Sequence, residues 1–292
     1  MQRKNEYTRR HFLKVAAAGC VMSSVAAAAA KINSRIDGLR VGLQTYSLRG
    51  LRYEAIIPAM ERIGIGECEL WSVQIEPTPA DVPDISKWRS TVSLDYFKEV
   101  RKKFNDAGIQ IHAYNPSFSR GGGRGRAGAA AQPPPTPMTD EEIDWFFRVA
   151  KVLGAKTINS GIQPDIAKRI APIADNHKMV VGIFSQDPQI LAMSEYFRYD
   201  LDIGDYTRAG NNALQFVQDN YLRMTDIHLK DCKLKGASVP FGQGDSHMKE
   251  ILRFLKDKRT QMRVNIDCDY PGTGTSVDEV QKCYDFVRQA LA

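Results

Sequence analysis

Cysteine is scarce in this 292-residue chain, with five in all and no CxxC spacing. That excludes a small disulfide-stapled scaffold and a cysteine-ligated zinc module. No block of Lys or Arg is present, so nucleic acid is not an expected partner. Long apolar runs are missing too. The stretch from Val15 to Ala30 is too short and too alanine-rich for a membrane span. No glycine-rich segment carries the lysine and hydroxyl of a phosphate-binding P-loop.

What is present begins with a leader. Thr8-Arg9-Arg10-His11-Phe12-Leu13-Lys14 precedes the small-residue apolar run. Paired arginines followed by Phe-Leu-Lys read as a twin-arginine export signal over residues 1–30, removed near Ala28 to Ala30. The expected partner is the twin-arginine export machinery, and the expected location is periplasmic or secreted. Cys20 is a poor lipid-attachment point, because Ala17 rather than leucine stands three residues before it. Setting the leader aside lowers the formal charge from +6 to +2. The remaining Cys68, Cys232, Cys268 and Cys283 are widely spaced, and a core this large needs no disulfides.

A linker is expected over 31–38 and a single domain over 39–292. Eight strand-like segments follow, near Arg40–Gln44, Glu67–Trp71, Ile109–Tyr114, Lys156–Asn159, Met179–Phe184, Tyr199–Asp202, Asp226–Leu229 and Arg263–Asp267. Amphipathic helical segments separate them, including Tyr53–Ile63, Leu94–Ala107, Asp140–Leu153, Asp165–His177, Ala213–Asn220, Met248–Asp257 and Val277–Ala290. Thr139 with Glu142, and Ser276 with Glu279, read as capping boxes. Gly64, Gly108 and Gly154 fall where helices should stop. Repeated strand–helix units predict a closed (β/α)8 TIM barrel. Pro188 in a short fifth connection predicts a brief or irregular helix there. A Gly/Ala/Pro-rich loop over 117–139 offers no apolar period to bury and is expected to be mobile. It carries Arg120, Arg124 and Arg126, and it reads either as a substrate lid or as a low-complexity insertion.

In such barrels the C-terminal strand ends line the site. Alternation along each strand selects Gln44 and Tyr46, Glu69, His112 and Tyr114, Asp202 with Asp205 beyond it, His228 with Lys230, and Asp267 with Asp269. Buried carboxylates are costly unless paired or metal-bound. Asp202, His228 and Asp267 are therefore a candidate ligand set for a divalent cation such as Mn, Zn, Mg or Co. Alternatives stay open: a core histidine bonded to a carboxylate for His228, and a turn or cap residue for Asp202, Asp231 and Asp269. Trp71 reads equally as a sugar-stacking surface and as core. The loop Phe241-Gly242-Gln243-Gly244-Asp245 is expected to turn its amides towards a ligand.

Three of these stretches carry a resemblance: Val41 to Arg49, Leu201-Asp202-Ile203-Gly204-Asp205, and Asp226 to Asp231 with the Val239 to Asp245 loop. Over about Leu39 to Leu291 the chain resembles the xylose-isomerase-like barrels, the sugar phosphate isomerases/epimerases. The resemblance implies a divalent cation at the strand ends and proton transfer between adjacent sugar carbons through an enediol-like state. It puts the family aspartate at Asp202, its histidine at His228 and its last-strand glutamate at Asp267. Its substrate-binding histidine becomes Asp205. The fifth strand departs from the pattern, since Phe184 stands where an acid is expected.

The expected catalytic residues are Asp267 as base, Glu69 as second base and Lys230 as an electrostatic partner. Gln44, Tyr46, Trp71, His112, Tyr114, Asp205 and Asp269 are expected to bind the carbohydrate. A homodimer is compatible with the sequence. An isomerase/epimerase, a lyase or hydrolase of 3-keto-glycosides, and a non-catalytic carbohydrate-binding relative all remain open.

Overall fold

A computed structural model describes residues 30–78, 80–118 and 138–292. Residues 1–29 of the expected export leader, Cys20 among them, and the arginines of the 119–137 stretch lie outside the described residues. The strands are β1 (Arg35–Ile36), β2 (Leu39–Gln44), β3 (Glu67–Trp71), β4 (Gln110–Asn115), β5 (Thr157–Ser160), β6 (Val180–Ile183), β7 (Phe197–Asp202), β8 (Met224–Leu229) and β9 (Arg263–Ile266). β2 to β9 pair in parallel in sequence order, and β9 pairs back onto β2, closing an eight-stranded barrel. β1 forms an antiparallel hairpin with β2, so the expected 31–38 linker contributes a strand to the sheet. The fold is a (β/α)8 barrel.

Alternation on each strand builds two different interiors. On β2, Leu39, Val41 and Leu43 are buried in the apolar core shared with the helices, while Arg40, Gly42 and Gln44 turn into the barrel. Gly42 is needed there because a Cβ would come within 2.4 Å of Asn265 Oδ1. The same alternation on β8 sends Ile227 and Leu229 outward and Asp226 and His228 inward. The apolar core therefore lies between barrel and helices, and the barrel itself is filled with polar side chains.

Local signals place the helices. Thr139 and Glu142 form the expected capping box of the Asp140–Leu153 helix, which Gly154 ends in a left-handed turn. Gly64 ends the Tyr53–Ile63 helix in the same way. The fifth connection holds only the short Pro188–Leu191 helix. One cap is shifted: Thr275 with Asp278, not Ser276 with Glu279, forms the last capping box. Glu279 instead accepts from Gly274 N and Tyr270 Oη, both at 2.9 Å. A further helix, Ile203–Arg208, starts directly at the end of β7.

All four described cysteines are free and buried. Among the described residues no helix is long and apolar enough to cross a membrane.

Candidate metal centre

At the C-terminal mouth, three adjacent strands bring Asp202, His228 and Asp267 together. One ligand atom from each lies within 4.8 Å of the others, and all three residues are buried. Asp202 ends β7 and does two jobs. Its Oδ1 accepts from Asp205 N at 2.8 Å, capping the Ile203–Arg208 helix. Its Oδ2 lies 2.7 Å from Lys230 Nζ. Asp267 follows β9, with Oδ2 3.9 Å from His228 Nδ1 and 3.2 Å from Lys230 Nζ. Its Oδ1 is buried with no hydrogen-bond partner among the described residues.

His228 sits between two acid groups. Nδ1 faces Asp267, and Nε2 lies 3.1 Å from Glu69 Oε2 and 3.4 Å from Asp200 Oδ2. Burial opposes its charge, yet the Asp200 and Glu69 carboxylates hold its pKa well above that of an ordinary imidazole. Glu69, Asp200 and His228 also gather three ligand atoms within 4.8 Å. This second group lies deeper in the barrel.

Glu69 is not placed to act as the second base. It is fully buried. Oε1 accepts from Gln44 Nε2 at 2.6 Å and Asn115 Nδ2 at 2.7 Å. Oε2 accepts from Asn159 Nδ2 at 2.8 Å and faces His228. Gln44, expected to bind substrate, spends its amide on Glu69 and its carbonyl oxygen on Tyr46 N. His112 is likewise internal. Its Nε2 lies 2.9 Å from Asn265 Oδ1, and burial with the nearby Arg263 charge keeps it neutral. Tyr114 points the other way. β4 carries one more residue than β3 between paired positions, with Cys68 opposite Ile111 and Glu69 opposite Ala113. This bulge turns Tyr114 out against Phe146 and Asn115 in towards Glu69.

Strand alternation brings in two further acids outside the expected site set. Asp200 shares the inward face of β7 with Asp202, and Asp226 lies below His228. Burial pushes the Asp200 carboxyl up to about 6. Burial, then the charges of Asp200 and Glu69, push Asp226 up to about 7. Neither Asp200 oxygen takes a hydrogen bond among the described residues, the 3.4 Å approach to His228 being an ion-pair contact only. Five buried acids, Glu69, Asp200, Asp202, Asp226 and Asp267, thus crowd around His228 and Lys230.

The rim completes the site. Asp205 and Asp269 are part-exposed, at 3.6 Å and 3.7 Å from Lys230 Nζ. Tyr46 and Trp71 meet edge to face at 5.0 Å, and Phe184 stands on the β6 side with its ring 5.2 Å from that of His228. The glycine-rich loop does not present its amides to the mouth. Gly242 N and Gly244 N donate to Asp231 Oδ2 at 2.8 and 2.9 Å, so Asp231 holds the loop.

The donor set fits a divalent cation in kind. Two carboxylates and an imidazole suit borderline ions. A carboxylate behind the second ring nitrogen is the usual support of a ligating histidine. The unpartnered Asp267 Oδ1 and the excess of acid both call for positive charge. Lys230 already supplies one such charge.

No protein-family model matches the chain, and no curated protein does. Solved structures do. A xylose isomerase domain protein from Planctomyces limnophilus is 14% identical, with 86% of this chain and 97% of that one covered at a TM-score of 0.62. A zinc-containing IolI protein is 14% identical, covering 87% and 98% at a TM-score of 0.61. The probable 3-DHS dehydratase AsbF from Bacillus anthracis is 12% identical, covering 85% and 99% at a TM-score of 0.60. These likenesses place the fold among the xylose-isomerase-like barrels. The chain thus joins that fold to a buried three-residue cluster of potential metal ligands.

Proposed function

We propose that this protein is a divalent-metal-dependent isomerase acting on an extracytoplasmic carbohydrate by proton transfer between neighbouring carbons. The observation that carries it is the convergence of Asp202, His228 and Asp267 within 4.8 Å at the barrel mouth. The zinc in the IolI structure and the sugar-isomerase names among the similar folds support the reading. Bound there, the ion would polarise a carbonyl or hydroxyl oxygen.

The chain's own groups then divide the work. Asp267 Oδ1, free of donors, takes the proton. Lys230, whose Nζ lies 3.2 Å from Asp267 Oδ2 in the ion-free site, supplies a nearby positive charge that offsets developing negative charge. Glu69 and Asp200 hold the His228 ring. Tyr46 and Trp71 offer an apolar wall for a sugar face, and Asp205 and Asp269 receive hydroxyls. Phe184 supplies no acid on the facing wall. A single base favours transfer along one face, or elimination beside a keto group, over two-base epimerisation. The twin-arginine leader supports export, and export favours an unphosphorylated glycoside, including a 3-keto-glycoside.

A second reading is a carbohydrate-binding protein without turnover. It is favoured by Phe184 and by the ion pairs of Lys230 with Asp202 and Asp267. The test has two parts. Metal analysis of gently purified protein should find an ion that the His228→Ala variant lacks; equal absence from both removes the cation. Incubation with keto- and unmodified disaccharides, with and without chelator, should then show chelator-sensitive product. Binding without product would leave the second reading.

A further inference from the structure

Lys230 carries the charge sign that opposes a metal ion, and it lies where the ion would bind. Its Nζ is 2.7 Å from Asp202 Oδ2 and 3.2 Å from Asp267 Oδ2, two members of the candidate ligand set. The side chain is 1% exposed. Its place is built into the fold. At Gly204 a Cβ would come within 2.6 Å of Lys230 Cγ and 2.7 Å of Lys230 Cβ, so only a glycine lets the lysine stem lie against the Ile203–Arg208 helix. Ligand distances of about 2.1 Å would put an ion bound to Asp202 Oδ2 no more than about 4.8 Å from an unmoved ammonium. Two cations that close, competing for the same carboxylate oxygens in a buried site, repel strongly. A second pair of carboxylates stands ready nearby, Asp205 at 3.6 Å and Asp269 at 3.7 Å, both on the part-exposed rim.

We propose that Lys230 is a tethered counter-cation that holds Asp202 and Asp267 in the metal-free protein, and that metal loading displaces its ammonium to Asp205 and Asp269. The proposal rests on the cation reading above and adds to it an exchange of one positive charge for another. The wild-type site binds metal more weakly than its ligands alone would. On the rim, the displaced ammonium would stand beside incoming substrate.

Calorimetric titration of Mn2+ and Zn2+ into the purified protein tests this, with thermal melts to verify folding. Lys230→Met should bind about tenfold tighter or more, having lost its internal competitor. Asp205→Asn/Asp269→Asn, at part-exposed positions, should bind several-fold weaker, because the ammonium loses its refuge. Arg49→Met removes a rim cation 3.5 Å from Asp269 that does not touch the ligand set, and should change affinity by no more than about twofold. If Arg49→Met tightens binding as much as Lys230→Met, general electrostatics explains the gain and the exchange is overturned. Unchanged or weaker binding by Lys230→Met, with wild-type binding intact, also overturns the exchange and spares the cation reading. No binding by either folded protein overturns both.

Discussion

The floor and the mouth of this barrel are built on the same strands, and they treat charge in opposite ways. On the floor, Glu67 lies between two arginines. Arg40 Nη2 reaches Oε1 at 2.7 Å and Arg263 Nε reaches Oε2 at 2.5 Å. Despite burial, these guanidinium groups hold the Glu67 carboxyl below its ordinary range. Two residues beyond Glu67 and four beyond Arg263, Glu69 and Asp267 enter a region where acids outnumber cations. There Asp200 and Asp226 are pushed upward and several carboxylate oxygens lack donors. A closed charge set is scaffold. An open one, walled by the same backbone, is where a ligand would add favourable interactions.

The largest expected effect comes from opening the floor. Arg263→Met leaves Glu67 with Arg40 and the more distant, exposed Lys31, and should cost about 3 kcal/mol in urea denaturation, with metal affinity unchanged. Loss of metal binding at unchanged stability would reverse the assignment of the two regions. A smaller effect is expected from the excess acid above. Because burial raises the folded-state pKa of Asp200 and Asp226, the native protein keeps protons there that the unfolded chain has already released above pH ~4. Stability therefore falls as the pH rises towards 7 and levels off above it. Asp226→Asn should flatten that decline by on the order of 2 kcal/mol in chelator-treated protein. An unchanged profile would show that Asp226 is ionised throughout.

Phe184 tests the open side of the mouth. Phe184→Glu restores an acid facing His228 and should tighten divalent-ion binding by about tenfold; no change would mean that β6 stands too far from the ion. The smallest effect belongs to the aromatic wall. Trp71→Ala should weaken disaccharide binding by roughly fivefold while metal affinity stays put. Equal affinity would return Trp71 to core packing.

Much of the fold is legible in the sequence because its signals are local. The Glu67–Trp71 strand and the Tyr53–Ile63 and Asp140–Leu153 helices fall where periodicity, caps and terminal glycines put them. The juxtaposition of Asp202, His228 and Asp267 follows from strand order and alternation once the barrel is assumed. Alternation fails at bulges. The extra residue on β4 reverses Tyr114 and admits Asn115, and no residue type nearby marks it. The roles of Glu69 and Gln44 are hidden for another reason: the partners of Glu69, namely Gln44, Asn115 and Asn159, lie 25, 46 and 90 residues away from it. From the sequence, Lys230 is expected only as an electrostatic partner of Asp267. Its simultaneous approach to four carboxylates depends on Gly204, whose missing side chain matters only once the strands are packed.

The most direct test is a crystal soaked in Mn2+ or Zn2+ and measured for anomalous scattering. The account predicts one strong peak at the mouth, within about 2.5 Å of Asp202, His228 Nδ1 and Asp267, with the Lys230 ammonium moved towards Asp205 and Asp269. A mouth without a peak, Lys230 still bound to Asp202 and Asp267, would contradict it.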